Sequence, residues 1–122
     1  MNGGLQVVNP SKAVYDQILA HMASDAAIDM EFADQSLLSD LYKGRWVPLA
    51  YVYNALKTLR WEGVHSEIWR DDRVKNVHYI LAPKPWDGGE VEERNKVTHG
   101  WWHEVNNKRL VAEKEQSIND GF

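Results

Sequence analysis

The stretch VKNVHYIL, residues 74–81, constrains the fold of this chain most. In an extended backbone Val77, Tyr79 and Leu81 point one way and Val74, His78 and Ile80 the other, so both faces are largely apolar. Such a strand is covered on each side, as in a layered α/β sheet. The run then breaks at Ala82-Pro83, and Lys84 stands just before Pro85 and Trp86 in PKPWDGG, a loop by composition.

The rest of the chain reads as strands followed by helices. GLQVV, residues 4–8, predicts a short buried strand, and Pro10-Ser11 is a helix-start signal. Val14, Tyr15, Ile18, Leu19 and Met22 recur at helical spacing and predict a helix from about Ser11 to Ala23. SDAAIDMEF is a polar loop. A second helix begins near Ala33, carries Leu37, Leu38, Leu41 and Tyr42 as its stripe, and stops at Gly44. Residues 45–63 mix β-prone aromatics with Pro48 and Gly63, which predicts short strands and turns. From Glu90 the pattern is helical, with Val97, Trp101, Val105 and Ala112 along one stripe, and INDGF is expected to fray at the end. Together these elements predict an α/β sheet rather than a bundle or sandwich, built as a single domain over residues 1–122.

Composition excludes several function classes. The net charge of −4, with acids and bases interspersed, leaves no basic stripe for nucleic acid. No stretch approaches the roughly 20 apolar residues of a membrane helix, and no signal-peptide core follows Met1, so no membrane partner is expected. The absence of cysteine rules out disulfides and thiolate metal sites and suits a reducing, cytoplasmic setting. Six tryptophans suit core packing first and sugar or nucleotide stacking second.

Three places carry residues that packing alone does not ask for. In MNGG, Asn2 can hydrogen-bond a sugar or ribose and the glycines allow close backbone approach; a loose terminus is the alternative. In ADQSLL, Asp34 precedes Leu37, Leu38 and Leu41 by three, four and seven residues, with Gln35 beside it. This sets a carboxylate where the helix meets the core, or caps the helix N-terminus. In VHYILAPKPW, His78 is either a core histidine or a metal ligand, and Lys84 could bring an ammonium to phosphates that the metal also binds. His99 and His103 lie four apart but lack a spaced third ligand, and RDDR at 70–73 is most simply a solvated turn. Nucleophile-elbow, phosphate-loop and dinucleotide fingerprints are absent.

Taken in order, NGGLQVVNPS, ADQSLL, LAYVYNALKTL and VHYILAPKPW resemble the second half of a glycosyltransferase family 8 domain, the family of glycogenin and galactinol synthase. The family pattern runs N-[SA]-G, strand, P-S, helix, D-Q-x-x-L, a Y-N element and H-x5-K-P-W. Here it extends from Asn2 to Trp86. The resemblance implies part of a Rossmann-like, A-type nucleotide-diphospho-sugar transferase domain that moves a hexose, with retention, from a UDP-sugar to a carbohydrate or polyol acceptor, using manganese. By the same resemblance His78 would ligate manganese and Lys84 contact the diphosphate. Asn2 and Gly3 would touch the donor, Asp34 and Gln35 would hold the transferred sugar, and Asn54 would line the sugar pocket.

Departing diphosphate carries negative charge, which a divalent cation and an ammonium stabilise as it develops. Two departures are local: Gly3 replaces serine or alanine, and Leu81 replaces the glycine that glycogenin-like members usually carry three residues after the histidine. A third is an absence, since the family sets its first nucleotide-binding strands and a D-x-D metal motif before N-[SA]-G, and this chain has no D-x-D. The isolated chain is therefore expected to be inactive, with an open strand edge that invites self-association. The alternative expectation is a non-catalytic truncated homologue that binds a partner or a carbohydrate.

Overall fold

The computed structural model describes residues 2–24 and 33–118, which fall into two compact units divided between Ala50 and Tyr51. The loop expected over residues 24–32 lies outside the described residues from 25 onward, and the frayed end from 119 onward. Helices and a small parallel sheet make the fold mixed α/β.

The first unit holds α1 (Lys12–Met22) and α2 (Ala33–Leu41). Ser11 caps α1 in extended geometry: its hydroxyl accepts from the Val14 N–H at 3.4 Å, and its carbonyl accepts from the Tyr15 N–H at 2.9 Å. The predicted helix and its boundaries hold; its stripe does not. Val14, Ile18 and His21 are half-buried, whereas Tyr15, Leu19 and Met22 are exposed, so the covered face is narrower than the apolar one. On α2, Leu37 is buried, and Leu38, Leu41 and Tyr42 are half-buried, as their spacing predicts. His21 Nε2 of α1 lies 3.0 Å from Asp40 Oδ2 of α2. Gly44, at φ 72°, takes the left-handed turn that ends this segment.

The strand expected over residues 4–8 does not form. Val7 and Val8 are 81% and 71% exposed, and the run pairs with no other strand among the described residues. β-prone residues alone do not make a strand without an edge to complete their hydrogen bonds.

The second unit is built around β1 (Ala55–Leu56) and β2 (Val77–His78), paired in parallel with Ala55 opposite Val77 and Leu56 opposite His78. A tight turn, Tyr51–Tyr53, leads into β1, and its Val52 carbonyl accepts from the Lys75 N–H at 2.8 Å. The crossover between the strands uses two more such turns, Lys57–Arg60 and Asp71–Arg73. A last one, Glu93–Asn95, opens α3 (Lys96–Glu115).

The long strand expected over residues 74–81 shortens to two residues. Past His78 the Ile80 N–H turns back to the His78 carbonyl at 2.8 Å, and Leu81 enters the left-handed region at φ 61°. Nor is the run covered on both faces, since residues 77–80 are half-buried and Leu81 is 58% exposed.

The stripe expected on α3 is also displaced. Val97 and Val105 are exposed and Trp101 and Ala112 half-buried, while Thr98 and His99 are the buried positions. Asn95, Thr98 and His99 therefore fill interior space that apolar spacing assigned to valine. Nor are the tryptophans mainly core residues: Trp69 is buried, Trp46 and Trp86 are exposed, and Trp61, Trp101 and Trp102 are half-buried.

Candidate functional site

In the first unit the chain brings four of the singled-out residues together across a long stretch of sequence. The Gly3 N–H donates to Gln35 Oε1 at 2.8 Å, joining positions 32 apart. Asn2 Oδ1 accepts from the Gly4 N–H at 2.9 Å, which folds the glycine pair into a turn beside it. A methyl group added at Gly3 would lie 3.4 Å from Gln35 Cβ and 3.8 Å from Asp34 Oδ2, so Asp34 and Gln35 of α2 both border this backbone. Asp34 sits exposed in the first turn of α2, where a carboxylate suits the helix dipole; Gln35 is half-buried.

His78 and Lys84 form the second group, within the other unit. His78 ends β2, and its Nδ1 is buried with no hydrogen-bond partner. Burial first, and the Lys84 charge second, hold the imidazole below its ordinary pKa, so the ring favours the neutral form that can ligate a metal. The Ala82–Pro83 peptide is cis. The Lys84 ammonium then reaches back to the Tyr79 carbonyl, while its backbone N–H donates to Asp87 Oδ2 at 2.7 Å. Three donors sit on an ammonium, so one contact to Tyr79 leaves two for a ligand. Asn54 is half-buried, directly before β1, with its N–H on the Tyr51 carbonyl at 3.0 Å.

An aromatic group backs this loop. Tyr79 packs edge-on against Trp86 and against His99, each at a centroid distance of 6.0 Å, and Trp86 meets Trp102 at 5.8 Å. The Tyr79 hydroxyl donates to the Thr98 carbonyl of α3 at 2.7 Å, and burial pushes its pKa up to about 12. His99, also buried with an unpartnered Nε2, is held below its ordinary pKa by burial, then by Lys57 and His103. His99 and His103 do not make a metal pair with a third ligand: among the described residues no three His, Asp or Glu gather as a metal site. His78 thus offers one nitrogen donor that fits a divalent cation.

Sequence reasoning passed over Lys57 and Asp71. Lys57 is fully buried at the start of the turn after β1, and its ammonium donates to the Pro83 carbonyl. Its signal was visible in NALKTL, a lysine set between Leu56 and Leu59 three residues after the Y-N pair. RDDR forms the solvent-exposed turn expected of it, and within that turn Asp71 holds specific partners. It accepts from Arg60 Nε and Nη2 at 2.9 and 3.1 Å and from Trp69 Nε1 at 2.5 Å, and the Arg60 hydrogen bonds hold its carboxyl below the usual range. Arg60, Ser66, Trp69, Arg70, Asp71 and Asp72 line an open pocket of about 330 Å³, which none of the predicted site residues borders.

The curated homologues of this chain are glycosyltransferases of the family its motif order resembles. They are galactinol synthases and glycogenins. Over 116 residues the chain is 28% identical to galactinol synthase 1 of Solanum lycopersicum, a match covering 89% of this chain and 35% of that protein. Galactinol synthase 2 of Arabidopsis thaliana is 30% identical over 116 residues, covering 89% and 33% respectively. Glycogenin of Neurospora crassa is 24% identical over 106 residues, covering 83% and 15%. The chain thus spans about a third of the length of these galactinol synthases. No family model matches the chain, and no solved structure does. The resemblance read from four short motifs is borne out by these relatives.

Proposed function

We propose that residues 1–122 are the later portion of a Rossmann-like family 8 catalytic domain, one that transfers a hexose with retention from a UDP-sugar to a carbohydrate or polyol acceptor. The observation that carries this reading is the Gly3 N–H to Gln35 Oε1 bond, which joins the N-x-G and D-Q motifs that the resemblance pairs. With its Oε1 engaged by Gly3, Gln35 keeps its amide N–H groups for a sugar hydroxyl, and the exposed Asp34 carboxylate accepts from another. Asn2 and Gly3 supply polar groups to the donor, and Asn54 contributes to the sugar pocket.

The second unit handles the diphosphate. His78 would hold manganese through its unpartnered nitrogen, and the two free N–H donors of Lys84 would meet phosphate oxygens. Manganese, when bound, supplies Lewis-acid stabilisation of the negative charge on the leaving group. An ammonium fixed by a backbone carbonyl needs little reorganisation as that charge develops, which is how preorganised donors lower a barrier.

Isothermal titration of UDP with and without manganese tests the reading. Binding that requires the metal and weakens at least 10-fold in His78→Ala and in Lys84→Met is the expected result, each a loss of about 1.4 kcal/mol or more. Absence of manganese-dependent binding, or variants that bind as the parent does, would overturn it.

A further inference from the structure

Lys57 is the least expected interior residue of the second unit. It is 0% exposed, and among the described residues no carboxylate forms an ion pair with it. An apolar side chain of similar volume is often the more stable occupant of such a place, because burying a cation is costly when carboxylates such as Asp87 and Glu92 act on it only from beyond ion-pair distance. What the ammonium does instead is hold the Pro83 carbonyl, the peptide immediately before Lys84. Its placement follows from the sheet: Leu56 is in register with His78, and Lys57 is the next residue. One strand end therefore positions both the imidazole, through the ladder, and the lysine loop, through this contact. Tyr79 anchors the other side of the loop, its carbonyl receiving Lys84 and its hydroxyl bonding α3.

We propose that Lys57 is a positioning residue for diphosphate recognition, fixing the Pro83 carbonyl so that Lys84 is presented beside His78. The inference rests on the donor reading above and adds to it a residue that does not touch the ligand. A structural role and a positioning role predict different outcomes for Lys57→Met. If the lysine only filled space, methionine would leave the loop as ordered as before. If it positions the loop, the variant keeps its melting temperature within a few degrees while the Lys84 and Asp87 amides, closed by the Lys84–Asp87 contacts, exchange with solvent at least 10-fold faster than in the parent.

Amide exchange followed by NMR on the full chain reads this directly, with α3 amides as the internal reference. Lys57→Gln, which keeps a donor without the charge, is the second variant; it should give intermediate exchange and serves where methionine prevents folding. The same variants are titrated with UDP and manganese, where Lys57→Met is expected to bind about 10-fold more weakly. Unchanged exchange at Lys84 and Asp87 overturns the inference, as does a parent protein that loses binding in Lys84→Met but not in Lys57→Met. Should the parent bind no UDP with manganese, the donor reading fails and takes the ligand role of Lys57 with it; faster exchange would then mark Lys57 as an organiser of the loop alone.

Discussion

Gly3 and Gln35 in the first unit meet through one hydrogen bond at half-buried positions beside the exposed Asp34, whereas Lys57, Asn95, Thr98 and His99 in the second lie at 0 to 2% exposure. Both groups are polar, but they stand in different dielectric surroundings. A polar group that water can reach exchanges partners at little cost, so substitutions in the first unit should act on ligand binding more than on folding. An interior polar group that loses its partner pays the full desolvation penalty. Polar substitutions at Asn95, Thr98 and His99 should therefore disturb stability, whereas at Lys57 removal of a buried cation offsets the loss and the effect should fall on the Lys84 loop. The aromatic backing sharpens the contrast, because Tyr79, Trp86 and Trp102 tie the Lys84 loop to α3 while α1 buries no residue at all.

The largest stability loss should come from Tyr79→Ala, which removes two ring contacts and the bond to Thr98. About 3 kcal/mol is expected by chemical denaturation; a loss under 1 kcal/mol would erase the contrast between the units. Tyr79→Phe, deleting the hydroxyl alone, should cost about 1 kcal/mol. Acid should act on the same region. Burial holds His78 and His99 below their ordinary pKa of 6.5, so the unfolded chain takes up protons more readily than the folded one. Stability present at neutral pH is therefore lost as pH falls below about 6.5 toward the folded-state values, and His99→Leu should flatten that slope in melts recorded across the range.

Leu81→Gly should move in the opposite direction. A leucine at φ 61° costs about 1–2 kcal/mol, and glycine relieves it at some expense in unfolded-state entropy, leaving a gain of about 0.5–1 kcal/mol. The smallest stability effect belongs to Gln35→Ala: about 0.5 kcal/mol or less, read as a melting shift of a few degrees at most, with loss of sugar-donor binding as the larger consequence.

Local signals were legible where one segment sufficed to satisfy itself. Ser11 and the spacing of Val14 and Ile18 specify α1 to within a residue at each end, because capping and periodicity are properties of a dozen neighbouring side chains. Leu37, Leu38 and Leu41 place α2 likewise, although the helix ends at Leu41 and turn residues fill the interval to the stop at Gly44. Residues 4–8 have the composition of a strand but form none, because pairing depends on an edge the run does not carry with it. The buried face of α3 departs from its apolar spacing because the interior accepts Asn95, Thr98 and His99, whose partners Trp61 and Tyr79 come from elsewhere in the unit. At Asp71 the charge pattern predicts the exposed turn that forms, but not the partner Arg60, which reaches it from eleven residues away.

Motif identity and order, from Asn2 through Asp34-Gln35 to His78 and Lys84, were set by the sequence itself, as were the helices that satisfy their own hydrogen bonds within one segment. Which polar groups meet was decided only by tertiary structure. Gln35 finds the Gly3 N–H across 32 positions, and Lys57 reaches Pro83 because a parallel ladder sets Leu56 beside His78. Spacing along a chain governs contacts over a few residues; beyond that, a donor's partner is whatever acceptor the packed chain brings within about 3 Å of it, and no local pattern encodes that distance.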